Sequence, residues 1–425
     1  MRLSLIIAFL FVASCDRSGG LVFLERKFDM SPSVIADEKL RFTCKHEVFP
    51  ENGKDVDDVF KYARWLKKNN LLKRDESVNV EIERLYRIAA ESGHYKANIN
   101  LQNGGMRGQF KLSRQEYLRF SQELIDRGVA SGYYFIAIFL QRGAAGLVQD
   151  KEMALSYFYK SAVEGNAQAQ FYLGRKLSPI DVAPQTAARM YRCAAEQGSG
   201  EAAVALAIRL KYENSYADAV QVFQMGVKAG NETAAGFLEE AFRNPSPSDE
   251  LHFLDQAEDL ERADRYKKIW RILANYSYAS PTVPEIDEIV PLPPAKLPPW
   301  DGKLQWLEER LANVPPPKPD KWLIEKLAKE KGLDPKTGKP RPGSPAFRAE
   351  YFPAATCESG QPCPQEGYWK VMWTETRVHN EALIQHFKEG EVMPHPEGNY
   401  YHYRTWPLPK KLVTGPIFVK WGLLG

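Results

Sequence analysis

Apolar positions through the middle of this chain carry two periods at once. Inside each segment they fall three and four residues apart, as on one face of a helix. Between segments the same pattern returns, punctuated by Gly93, Gly128, Gly165, Gly198 and Gly230 at spacings of 35, 37, 33 and 32 residues. Seven positions before each glycine stand Tyr86, Ser121, Phe158, Tyr191 and Phe223; three before stand Ala90, Ile125, Ala162, Ala195 and Val227. Four after stand Ala97, Gly132, Ala169, Ala202 and Ala234; eight after stand Leu101, Ile136, Leu173, Leu206 and Leu238. Such a period marks helix–turn–helix units, none of which buries its apolar face alone, stacked into a solenoid.

One unit, SYFYKSAVEGNAQAQFYLG, shows the physics. Tyr157, Phe158, Ser161 and Ala162 share a helix face, and Gly165 ends that helix because the residue just past it needs a positive φ. Ala169 and Leu173 then begin the inner face of the next helix. Small residues at the crossing let two helices approach closely while the aromatic fills the outer gap. Upstream, Gly143 and Gly146 mark a loop and Asp150 an N-cap. On these residues the chain resembles the Sel-like repeat family, a relative of the tetratricopeptide repeat. The resemblance covers about residues 80–242. It is tightest over 150–210 and loosest over 117–139, where Ser121, Ile125 and Gly132 depart from the pattern. It implies a mainly α fold, a right-handed α-solenoid over residues 80–280.

The segments before the repeats have a different character. Arg2, the apolar run 3–12 and the small Ala13 and Ser14 make a secretory signal, too short to span a membrane as a stable helix. The run Val12-Ala13-Ser14-Cys15 resembles a bacterial lipobox, which implies cleavage before Cys15 and acylation of its thiol and new amine. Several acyl chains anchor stably where one is marginal, since each buried CH₂ contributes roughly 0.8 kcal/mol. Asp16 fits the enteric rule for retention in the inner membrane, and residues 16–20 read as a tether. The expected location is the periplasmic face of the envelope, lipid-anchored. Residues 21–79 form a prefix. In it LRFTCKHEVFP reads as an extended segment and DVDDVFKYARWLKKNN as a capping helix with Phe60, Ala63 and Leu66 on one face. Together FTCKHE and HYKANINLQN resemble a family of uncharacterised proteobacterial lipoproteins that join this prefix to Sel-like repeats.

After the repeats, residues 249–276 read as closing helices. From Pro281 to Pro319 there are 11 prolines in 39 residues, which disfavours helix and predicts an extended strap over 281–344. Two short helices, in DGKLQWLEERLANV and DKWLIEKLAKEKGL, interrupt it. Trp300, Trp306 and Trp322 imply that it packs against a neighbouring domain. Residues 345–425 read as a small α+β module with strands in GYWKVMWTE, YYHYRTWPL and GPIFVKWGL and a helix in HNEALIQHFKEG.

Candidate chemistry is sparse. In an exported chain, Cys357 and Cys363, held in the turn CESGQPC, are expected to form a disulfide. Cys193 reads as a buried small hydrophobe, and Cys44 has no assigned place. His379, His386, His395 and His402 cluster late in the sequence, but His379 and His386 are seven apart, where metal pairs on a helix want three or four. No GxSxG, phosphate loop or dinucleotide fingerprint is present. No catalytic residue, cofactor or metal site is therefore expected, and the chain is not read as an enzyme. A net charge of +3 over 425 residues gives no reason to expect nucleic-acid binding.

Taken as architecture, a signal, a tether, the prefix and the repeats resemble the lipoproteins that confer immunity to type VI secretion effectors of the phospholipase D class. The resemblance implies an immunity protein whose partner is a cognate toxic effector, blocked by stoichiometric occlusion. It carries over no interface residue. An envelope scaffold and a cell-wall-related enzyme are the alternative readings.

Overall fold

The computed structural model describes residues 42–179, 182–347, 355–372, 377–378, 384–402 and 411–423. Cys15, Asp16, the signal and His379 lie outside them. Helix α1 (Lys54–Asn70) packs on α2 (Glu76–Glu91), as the capping role requires. The repeats follow as five helix pairs: α2 with α3 (Tyr95–Met106), α4 (Arg114–Asp126) with α5 (Ser131–Arg142), and α6 (Lys151–Val163) with α7 (Ala167–Leu177). Next come α8 (Pro184–Glu196) with α9 (Gly200–Tyr212), and α10 (Tyr216–Lys228) with α11 (Glu232–Ala241). The five punctuating glycines sit in the intervening turns with φ of +95°, +73°, +111°, +87° and +85°.

The aligned positions form the core. Tyr86, Phe158, Tyr191 and Phe223 are buried, as are Ala97, Ala169, Ala202 and Ala234 and all five aliphatic residues of the next register. The loose second repeat departs from the pattern with compensation. A Cβ on Gly132 would lie 2.4 Å from the Ser121 carbonyl oxygen, so glycine is what lets α5 approach α4 there. Ser121, in place of an aromatic, donates to Tyr117 O and reaches Gln102. Two buried ion pairs then lock α2 to α4 in both directions: Arg87 to Glu116, and Arg119 to Glu91.

The expected closing helices are one helix, α12 (Leu260–Asn275), capped by Asp259. The stretch before it turns instead, because Asp249 takes the backbone N–H groups of Leu251 and His252. The strap then leaves through α13 (Ile286–Ile289), α14 (Gln305–Ala312) and α15 (Lys321–Glu330) and lies along the solenoid. Its many prolines supply carbonyls but no N–H partners. Arginines of α12 satisfy them: Arg262 donates to Pro291 O and Ala295 O, and Arg265 to Ile289 O and Pro298 O. The strap ends on the first helices, where Ile324, Leu327 and Leu333 share a core with Val59, Phe60 and Leu85. Trp300 lies over Arg265 and Lys268, and Trp306 packs edge-on to Tyr276, but Trp322 is 69% exposed.

Past a helical turn at residues 345–347, the regular elements of the C-terminal module's described residues are strands. Its strands are β1 (Thr356–Glu358), β2 (Gly367–Val371), β3 (Arg377–Val378), β4 (Ile384–Phe387), β5 (Glu397–His402), β6 (Lys411–Pro416) and β7 (Lys420–Leu423). They form one sheet in the order β1-β7-β2-β4 and another in the order β3-β5-β6. The expected helix in HNEALIQHFKEG is thus corrected over its described part. Ile384–Phe387 pairs antiparallel with β2, and Phe387 packs edge-on to the buried Trp421 at 5.4 Å. Pairing with β2 overrides the local preference of the segment. No described helix is long and apolar enough to cross a membrane.

Candidate interaction surface

Residues 42–50 are extended and cross the inter-helix turns of several repeats. Phe49 stacks on Tyr95 at 4.5 Å beside the first repeat. Glu47 accepts from Ser131 N at 2.5 Å and from Asn166 Nδ2 at 3.0 Å, the starts of α5 and α7. Its own N–H donates to Gln197 Oε1 at 2.9 Å, beyond α8. Lys45 O accepts from Gln170 Nε2, and Lys45 Nζ pairs with Glu164 at 2.6 Å. Desolvation raises the Glu47 carboxyl above its ordinary value, against the pull of its hydrogen bonds from Ser131 and Asn166.

Two of the punctuating glycines therefore serve a second purpose. A Cβ on Gly165 would lie 2.5 Å from the carbonyl carbon of His46, and one on Gly230 would lie 1.8 Å from Pro281 O. The N-terminal segment crosses the first turn and the strap begins against the second, so both need a residue without a side chain.

Cys44, at the outer end of this segment, is bonded to Cys193 on α8. This corrects two expectations. Cys193 is buried, but as half of a disulfide. Cys357 and Cys363, expected to bond to each other, are both buried free thiols. Their sulfurs face different carbonyls, Cys357 toward Pro362 O and Cys363 toward Gln365 O. Burial raises both thiols above the ordinary cysteine value. Of these histidines, the side chains of His386 and His395 are described, and they lie in different surroundings. His386 is on β4 near Glu366, while His395 stands edge-on to the exposed Phe418. His94, which sequence reading did not single out, caps α3 and touches Asp57 of α1 at 3.4 Å.

Beside the N-terminal segment the second helices of the repeats leave an open cleft of about 440 Å³. Tyr134 of α5, Phe171, Tyr172 and Arg175 of α7, Gln197 to Ser199 after α8, and Glu201 of α9 line it. Gln197 is common to both features, since it holds Glu47 on one side and Gln170 on the other. The aromatics are preset. Gln141 donates to the Tyr172 hydroxyl at 2.6 Å, and Phe158 stacks under Tyr172 at 4.1 Å. Exposed Arg175 and Lys176 sit over the Phe171 and Tyr172 rings at 6.0 and 5.9 Å. Half-buried tyrosines beside an arginine are the composition of protein-binding hot spots, with little side-chain entropy left to lose. The periodic pattern placed these residues on helices, but only the stacking of successive repeats makes them one surface.

A domain of unknown function, DUF6396, matches residues 234–341, which run from the last repeat helix through the strap. No curated protein matches the chain. Among solved structures, the chain is similar to immunity protein PA5088 of Pseudomonas aeruginosa, with 27% identity, 60% of this chain and 95% of that one covered, and a TM-score of 0.48. It is similar to immunity protein Pa5087 of the same organism, with 25% identity, the same coverages and a TM-score of 0.46. It is also similar to a Sel1 repeat protein of Oxalobacter formigenes, with 18% identity, 52% and 97% covered, and a TM-score of 0.34.

Proposed function

We propose that this chain is an immunity protein that binds and occludes a cognate antibacterial effector. The effector is a phospholipase of the type VI secretion class, met at the periplasmic face where Cys15 anchors the chain. The observation that carries the binding reading is the aromatic and cationic cleft of Tyr134, Phe171, Tyr172 and Arg175. It sits on repeats braced from outside by the N-terminal segment. A preset surface binds without a large ordering cost. The class of partner comes from the sequence resemblance set out above, and two of the similar solved proteins carry the name immunity protein. A standard interface buries about 1,600 Å² in total, more than the cleft alone offers, so the flanking repeats must contribute.

The test is direct. Deleting the gene should sensitise its strain to the toxin-bearing parent, and the purified chain should abolish the lipase activity of the neighbouring gene's product at one equivalent. Replacing Cys15 with Ser should move the protein out of the membrane fraction and weaken protection. Normal survival of the deletion strain, with no complex by size-exclusion chromatography, would shift the assignment to an envelope scaffold.

A further inference from the structure

The disulfide lies within a larger set of donor atoms. Cys44 and His46 are two apart on an extended segment and project to the same side. Cys193 and Glu196 are three apart on α8 and share a helix face. The two sulfurs and a ring nitrogen of His46 lie within 4.8 Å of one another. Oε2 of Glu196 is 3.4 Å from His46 Nε2 and 3.9 Å from Cys44 Sγ. Two sulfurs, an imidazole and a carboxylate make a complete tetrahedral donor set for zinc. A zinc ion with Zn–S bonds of about 2.3 Å wants its sulfurs roughly 3.8 Å apart, farther than a disulfide holds them, so the two must separate once the bond is reduced.

The S–S bond is not what holds these donors together. Gln170 and Gln197 grip the backbone at Lys45 and Glu47, and Ser131 and Asn166 grip the Glu47 carboxylate. Opening the disulfide leaves all four hydrogen bonds in place, so Cys44 and His46 stay opposite Cys193 and Glu196. Cys44 and His46 are exposed, which gives a reductant and an ion a route in.

We propose that this cluster is a redox-exchangeable metal site, binding one zinc-class divalent cation through Cys44, His46, Cys193 and Glu196 when the disulfide is reduced. With a phosphine reductant, the phosphorus supplies two electrons. Water gives its oxygen to the phosphine and its two protons to the sulfurs, leaving two thiols. Metal binding expels both thiol protons and forms two metal–thiolate bonds. Disulfide and metal then become alternative clasps between the same segment and the same helix. The sequence hid the site because the pair Cys44–His46 and the pair Cys193–Glu196 are about 150 residues apart.

Cobalt reports the site. The phosphine-reduced full chain, titrated anaerobically with Co²⁺, should bind one equivalent. It should show the visible bands of a tetrahedral ion and a near-ultraviolet thiolate charge-transfer band, both lost on adding Zn²⁺. The oxidised chain should show neither. Cys44→Ser should abolish the charge-transfer band, and His46→Ala should weaken cobalt binding at least tenfold. Cys357 and Cys363 remain in both variants, so a full band in Cys44→Ser would assign it to them and overturn the proposal. It is equally overturned if the reduced chain gives no band, or if circular dichroism shows that reduction alone unfolds it.

Discussion

Glu47 and Asn166 meet in a 3.0 Å hydrogen bond across 119 residues of sequence. Asn166 is fully buried and works in three directions: its oxygen caps α7 at Ala169 N, and its amide donates to Glu47 and to Ser131 Oγ. One side chain therefore ties a helix start, a neighbouring repeat and the N-terminal segment together. Glu47→Ala should strand the Ser131 N–H and one amide proton of Asn166, costing about 1–3 kcal/mol in denaturant unfolding. The pH dependence has a definite sign. Desolvation raises the folded carboxyl above 4.5, so the folded state holds its proton longer than the unfolded chain. Glu47's contribution is then most favourable below that value and falls as pH rises toward the folded pKa. An Ala variant whose stability falls over that window just as the parent's does would count against this account.

Removing the Cys44–Cys193 bond acts chiefly on the unfolded chain. The closed loop spans 149 residues, and the loop-entropy relation gives about 5 kcal/mol for it. Cys44→Ala should lower the unfolding free energy measured in urea by most of that amount, and the slowest-exchanging amides of the repeat cores, which exchange through global unfolding, should lose protection to match. A variant equal to the parent would show that the unfolded chain keeps these residues together without the bond.

Lys67 is a polar liability on α1. Burial, with Arg107 and Arg64 nearby, lowers its ammonium from 10.5 to about 8. The Tyr86 ring, 5.8 Å from Nζ, is its nearest compensation. A folded value below the unfolded one means the cost is fully present below pH 8 and fades as pH rises toward 10.5. Lys67→Met should raise the melting temperature at pH 7, and the gain should shrink between pH 8 and 10.5. A constant gain at every pH would assign the effect to packing instead.

What the sequence made legible is what repeats. Ala169, Ala202 and Leu206 recur at fixed offsets from a glycine, and every repeat but the second keeps the same residue types there. The signals that failed are those that do not recur. Cys44 and Cys193 sit in different kinds of segment with no shared offset, so proximity in sequence pointed wrongly to Cys357 and Cys363. The segment HNEALIQHFKEG read as a helix by itself, and only the pairing of Ile384–Phe387 with β2 decided for strand. The cleft draws Tyr134 and Phe171 from successive repeats, which a pattern read one unit at a time cannot join.

The register itself can be broken at will. Ala169 and Ala202 are fully buried at helix crossings of the third and fourth repeats. Ala169→Glu or Ala202→Glu places an unpaired carboxylate there, at a cost of several kcal/mol, about what an uncompensated buried polar group carries. Since each repeat packs only on its neighbours, the damage should spread along the stack. A thermal scan in which either variant melts with the parent would mean that the repeat is misaligned.

The strap offers a way to separate bracing from folding. Arg265 is mostly buried and donates to Ile289 O at 2.7 Å and to Pro298 O at 2.7 Å. With its prolines the strap has few N–H groups to offer those carbonyls, so Arg265→Met should leave both without a donor, costing about 1–3 kcal/mol each where water cannot reach. The methionine still covers α12, so the solenoid core should keep its protection. Faster hydrogen exchange and proteolysis confined to residues 286–300, with binding to an effector weakened in step, would make the strap a brace for the binding surface. Unchanged exchange over that stretch would mean that Arg262, through Pro291 O and Ala295 O, holds the strap on its own.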